Sequence, residues 1–191
     1  MTTVNLQVSA NNDDAYEYGD DTGFTANDNQ IRHTGWASAD GITLAGHRFT
    51  SVDVPKDAQI VTATLQLFIL VTSVDDANFD IHAEDVDNAV DFAANADVVN
   101  RVRTTAAVLW DEDSLGTGFK SSPDIKAVIQ EIVNRGSWAS GNDLMIICKG
   151  KTDQGTKDCR SRAHDFDPSE AAKLDIEYAV TRKRSYARAI L

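Results

Sequence analysis

The stretch QIVTATLQLFILV, residues 59–71, decides the fold. Val61, Ala63, Leu65, Leu67, Ile69 and Val71 recur at every second position. Thr62, Thr64 and Gln66 occupy the alternate positions, which turn apolar at Phe68 and Leu70. A period of two is the signature of a half-buried β-strand, and apolar residues on both faces near its end predict that this end is covered.

The same period recurs outward in both directions. Val4, Leu6 and Val8 alternate with Asn5, Gln7 and Ser9 in TVNLQVS. In NFDIHAE, Phe79, Ile81 and Ala83 alternate with Asp80, His82 and Glu84, and in KLDIEYAV, Leu174, Ile176, Tyr178 and Val180 alternate with Asp175, Glu177 and Ala179. DLMIICKG, residues 143–150, is continuously apolar in its middle, as a strand buried on both sides should be. Shorter strands are expected at 47–52 and 159–164.

SSPDIKAVIQEIVNRGSW, residues 121–138, carries a helical period instead, with Ile125, Val128, Ile129, Ile132 and Val133 on one stripe. Ser122 suits the N-cap, Pro123 the first helical position and Gly136 a left-handed end. A weaker helix or turn is expected through 92–105. Many short strands with one or two short crossing helices predict an all-β fold, an antiparallel β-sandwich of jelly-roll type.

The chain has 191 residues, 42% hydrophobic and 25% charged, which suits one domain over 1–180. Its net charge of −12 argues against gripping nucleic acid, which needs a basic face. No apolar run approaches the roughly 20 residues that cross a bilayer. The N-terminus has neither the basic nor the apolar segment of a signal peptide, so secretion is the less favoured expectation. Residues 181–191, TRKRSYARAIL, form a basic tail with Arg182, Lys183, Arg184 and Arg188 and no acid. Such an asymmetry predicts an assembly contact, on its own domain or on a neighbouring subunit.

NNDDAYEYGDDTGFTANDNQ, residues 11–30, concentrates oxygen ligands. Asp13, Asp14, Glu17, Asp20 and Asp21 are candidates for a structural calcium, which takes six to eight oxygens, with Asn27 and Asp28 nearby. Glu84, Asp85, Asp87 and Asp91 form a second acidic group. Neither follows the EF-hand pattern. DEDSLG, from Asp111, imitates its start, but Leu115 occupies a ligand position and Ser122 stands where the bidentate Glu belongs. The glycines and Asn–Asp pairs of 11–30 are also turn chemistry, so the stretch reads as a long inter-strand loop.

Catalytic motifs are not found: no H-E-x-x-H, no G-x-S-x-G and no glycine-rich phosphate loop, so a non-catalytic protein is expected. GKT at 150–152 reads as a hairpin loop, because Met145 stands where a phosphate loop has its first glycine. The histidines, His33, His47, His82 and His164, are scattered. Cys148 and Cys159 fit no zinc spacing, and whether they are bonded stays open. Among the three tryptophans, Trp36 lies in a loop and is the candidate carbohydrate platform. Trp110 and Trp138 read as core residues.

HRFTSVDVPKDAQIVTATLQLFI, residues 47–69, resembles the R-F-x-x-x-x-x-P-x-x-A-x-I-x-x-A-x-L-x-L signature of DNRLRE-type jelly-roll domains, relatives of certain carbohydrate-binding modules. The helix and apolar strand of 122–150 resemble that family's later segment. CRSRAHDFDPSEAAKLDIEYA, residues 159–179, resembles its closing region, with Pro168 displaced and Lys173 where proline is usual. The resemblance spans about 13 to 178. It implies a non-catalytic virion structural protein of a tailed phage, in capsid decoration, fibre or tail, made in the host cytoplasm and partnered by other virion proteins or itself. The alternative it implies is a carbohydrate-binding module, secreted and taking a glycan, with a polysaccharide-active enzyme a distant third. No cofactor is expected beyond the structural calcium.

Overall fold

The computed structural model describes residues 1–19, 25, 29–34, 42–70, 76–93, 97–151 and 158–180. Two antiparallel sheets pack face to face. The first contains β1 (Thr2–Gln7), β3 (Gln30–Arg32), β5 (Gln59–Ile69), β8 (Gly118–Ser121), β10 (Arg160–Arg162) and β11 (Lys173–Ala179), in the order β1-β11-β5-β10-β3 with β8 also on β5. The second has the order β2-β4-β9-β6-β7: β2 (Asp14–Tyr18), β4 (Thr43–Phe49), β9 (Leu144–Gly150), β6 (Ala77–Ala83) and β7 (Val108–Glu112). The chain changes sheet at almost every connection, which gives the sandwich its jelly-roll character.

β5 runs through the middle of the first sheet, and Ala63, Leu65, Leu67 and Ile69 point into the core as the alternation predicts. At its start the phase changes. The register steps from Thr62↔Glu177 to Ile60↔Tyr178, so Val61 is the extra residue of a bulge and Ile60, not Val61, is buried. Trp110 and Trp138 are core residues, 1% and 2% exposed.

α1 (Lys126–Val133) closes the side of the sandwich between β5 and β6 with Val128, Ile129, Ile132 and Val133. It begins later than the sequence suggests. Ser122 does not cap it. Its backbone N–H donates to the Leu65 carbonyl at 2.8 Å, and its Oγ accepts from the Leu65 N–H at 3.0 Å. Asp124 Oδ1 accepts from the Ala63 and Lys126 N–H groups. Residues 122–125 thus satisfy the free edge of β5, a demand stronger than one more helical turn. Gly136 is not a left-handed terminator either. Asn134 ends the helix in right-handed geometry, and the nearby positive φ falls at Gly141. Residues 97–100 form a turn, so the weaker helical signal resolves as a turn there.

The acidic stretch is not all loop. Asp14–Tyr18 is an edge strand, in continuous register with β4 from Asp14↔His47 to Tyr18↔Thr43. Both of its faces are covered: Tyr16 joins the main core and Ala15 a second, smaller one. That second core, with Leu44, Ala89, Phe92, Val98, Met145 and Ile147, lies on the outer side of the second sheet, under the connection between β6 and β7. It explains why β9 is apolar on both faces. Arg101 pins the cover. Its guanidinium stacks 4.7 Å from the Phe92 ring centroid and donates to Glu84 at 2.7 Å, to Asp97 at 3.1 Å and to the Val90 and Asp91 carbonyls. Arg101→Met removes those donors and strands a buried carboxylate, so a loss of about 3 kcal/mol is expected. Hydrogen exchange across 85–102 checks it, because the cover should open before the rest of the sandwich.

Cys148 and Cys159 are both fully buried and form no disulfide. Cys148 lies on β9 and Cys159 precedes β10, so they belong to different sheets and are not cross-strand neighbours.

Candidate functional site

The second sheet is covered on its outer side along β2, β4 and β9, whereas the outer side of the first sheet meets solvent. Its residues follow from the register. Asn5, Asp175 and Thr64 form one row across β1, β11 and β5, and Thr3, Glu177 and Thr62 form the next. On the other side of the Asn5 row stand Lys173, Gln66 and Ser121, then Phe68 opposite Phe119. Inner neighbours Leu65, Leu67, Leu174 and Ile176 are buried, which fixes these polar positions on the outer face.

Asp175 organises the centre of this face. Its Oδ1 accepts from Asn5 Nδ2 at 2.6 Å, and its Oδ2 accepts from Gln66 Nε2. A carboxylate held between two amides is fixed in plane, and each amide has a second N–H and a carbonyl to offer a ligand. Beside it, Phe68 and Phe119 pack edge to face at 5.2 Å, and Lys173 Nζ lies 3.9 Å from the Phe119 ring centroid. Phe119 covers Phe68 and is itself 36% exposed, so the end predicted to be covered is covered by a residue that faces solvent. Gln7 lies at the margin and is committed to the turn at 168–171 through the Pro168, Ser169 and Ala171 carbonyls.

The arrangement joins planar amides, a carboxylate, hydroxyls and an aromatic edge on one rigid surface. That chemistry matches a polyhydroxylated ligand, whose hydroxyls donate and accept while its C–H faces rest on rings. None of these residues forms a motif in sequence. The available signal was the alternate positions of three strands, legible as a solvent face but not as neighbours.

The calcium candidates are drawn in different directions. Asp13 pairs with Arg48. Glu17 Oε2 accepts from the Val98 and Val99 N–H groups at 3.1 and 3.0 Å and so helps hold the cover. Asp14 points into the main core and accepts from the His164 N–H at 2.9 Å. Burial pushes its pKa up from 3.8 to about 7, against the lowering pull of that N–H, with Asp165 and Asp13 adding to the rise. Among the described residues no three His, Cys, Asp or Glu side chains gather as a metal site. Asp20, Asp21, Trp36, Arg182, Lys183, Arg184 and Arg188 lie outside the described residues.

In the second acidic group, Glu84 serves Arg101, while Asp85 and Asp87 both take Arg135. DEDSLG spans the end of β7 and the turn to β8, with positive φ at Ser114 and Gly116. His82 and His164 are placed apart by their bonds: His82 Nδ1 contacts the Thr104 carbonyl and His164 Nδ1 contacts Asn11. The pair that sequence reasoning missed is His33 with His47, stacked at 5.2 Å inside the sandwich.

No family model matches the chain, and no curated protein does. Among solved structures it is similar to a meso-active, thermo-stable cellulase derived from the Cel12A cellulase of Rhodothermus marinus. The identity is 12%, over 94% of this chain and 99% of the cellulase chain, with a TM-score of 0.24.

Proposed function

We propose that this β-sandwich is a non-catalytic glycan-binding module that receives a neutral polysaccharide on the outer face of its first sheet. The single observation that carries the reading is Asp175 clamped between Asn5 and Gln66 beside the Phe68–Phe119 pair. The face mixes Asp175 and Glu177 with Lys173 on a protein of net charge −12, which disfavours an anionic polymer. A glycan array, followed by calorimetric titration of the best oligosaccharide, tests it. Binding of a neutral glycan that is lost in Gln66→Ala is expected; silence across neutral glycans, or binding indifferent to Gln66, would sink the reading.

A second reading, assembly, rests on β1. It is an edge strand paired to β11 without interruption from Thr2↔Tyr178 to Gln7↔Lys173, with neither proline nor charge in it. Edges of that kind invite another strand. Resemblance to phage virion domains supplies the setting, a sandwich displayed on a particle surface. Light scattering tests it: wild type should associate and Thr3→Lys should not, and a wild type that stays monomeric at high concentration would contradict it.

A further inference from the structure

Asp14 on β2 and His47 on β4 stand directly opposite each other in the antiparallel register. Both turn inward, as Tyr16 and Ala45 on the same faces join the main core. Across the interior, His33 stacks on His47 at 5.2 Å and on Phe79 at 5.3 Å, and its Nε2 lies 2.9 Å from Ser161 Oγ. Asp14, His33, His47 and Ser161 are each 0% exposed. Within this row, Asp14 Oδ1, His33 Nδ1 and both ring nitrogens of His47 lack a hydrogen-bond partner among the described residues. Buried polar atoms left alone are costly and rare. Here an unpartnered acceptor and an unpartnered ring that can donate or accept occupy opposite cross-strand positions, whose Cβ atoms lie about 5 Å apart.

We propose that Asp14 and His47 form an internal proton-binding site, sharing one proton between Asp14 Oδ1 and the facing imidazole nitrogen, directly or through one water. With the carboxyl protonated, its O–H donates to the bare ring nitrogen. When that proton leaves to solvent, the neutral ring changes tautomer and donates its N–H to the carboxylate. The imidazole is neutral in both states, which a stack of two histidines requires. The surrounding titratable groups are Cys148, which faces inward opposite Ala45; Cys159, whose carbonyl accepts from the His33 backbone N–H; and Asp13 and Asp165 near Asp14. His164 contributes its backbone N–H to Asp14, and its ring turns to Asn11. Arg48, on the opposite face of β4, is committed to Asp13 and Asp143.

The pH dependence follows. Burial lowers the His47 pKa from 6.5 to about 3, and burial together with His47 takes His33 well below 6.5. Their contribution to stability is present above 6.5 and is lost as pH falls below it. Asp14, raised from 3.8 to about 7, contributes fully below 3.8 and loses that contribution as pH rises through about 7. Two histidines outweigh one carboxyl on the acid side, so stability falls as pH drops below 6.5, and Asp14 offsets part of that fall.

Melting midpoints from pH 4 to 9 for wild type and Asp14→Asn, with nitrogen-15 imidazole NMR of the wild type, test this. A wild-type midpoint that declines as pH falls below 6.5 is expected, and Asp14→Asn, which loses the opposing contribution, should decline more steeply over the same range. The His47 nitrogens should exchange tautomers near pH 7 and never read as imidazolium above pH 4. A His47 ring that titrates near 6.5, or an acid decline no steeper in Asp14→Asn than in wild type, would overturn the site. The NMR measurement needs no variant, so a poorly folding mutant does not shield the proposal.

Discussion

Gly46→Val is expected to lower the thermal midpoint by roughly 10 °C. A Cβ at Gly46 would meet Phe92 Cζ at 2.2 Å, Cε1 at 3.0 Å and Cε2 at 3.2 Å. Phe92 is 1% exposed and cannot retreat without leaving the second core or breaking its stack with Arg101. Displacing a buried phenylalanine costs about 3–5 kcal/mol. A domain of this size shifts by about 2–4 °C for each kcal/mol. The double variant Gly46→Val with Phe92→Ala separates this cause from a general strand effect. Emptying the ring site makes room for the new methyls, so the double should lose clearly less than the sum of the singles. Additive losses would show that Gly46 is needed for another reason.

Asp175→Ala should have the opposite profile: a small change in stability and a large change in binding. The residue sits on a partly solvated face, where losing an anchor costs well under about 1 kcal/mol of folding. Its two amide partners, however, lose the group that orients them. The carboxylate also keeps lone pairs for a ligand hydroxyl, and a hydrogen bond from the glycan to a charged group is worth about 1.5–3 kcal/mol, so glycan affinity should fall by about 10–100-fold. Asp175→Asn, which retains one acceptor oxygen, should lose less. Equal affinities for wild type and Asp175→Ala would leave the face without a role in binding.

The strands of this sandwich were legible in the sequence where burial is one-sided or complete. β5, β6 and β11 announce themselves by alternation, and β9 by an apolar run that anticipated its cover. β2 was not legible, because its carboxylates imitate a solvated loop. Asp13, Asp14 and Glu17 each find a partner far along the chain: Arg48, the His164 N–H, and the Val98 and Val99 N–H groups. The start of α1 was misread for a related reason, since Ser122 is drawn to Leu65 across 57 residues of sequence. The candidate face shares this property. Asn5, Gln66 and Asp175 become neighbours only through the register of β1, β11 and β5, which no local pattern reports. The histidine stack likewise depends on two sheets closing on each other.

The role of the first sheet is tested most directly by backbone NMR of the wild-type protein during titration with the oligosaccharide chosen by the array. The expected shifts centre on Asn5, Thr64, Gln66, Asp175 and Phe119, with the cover around Phe92 unmoved. Shifts confined to Trp36 and its sequence neighbours or to the cover, with the outer face of the first sheet silent, would contradict the account.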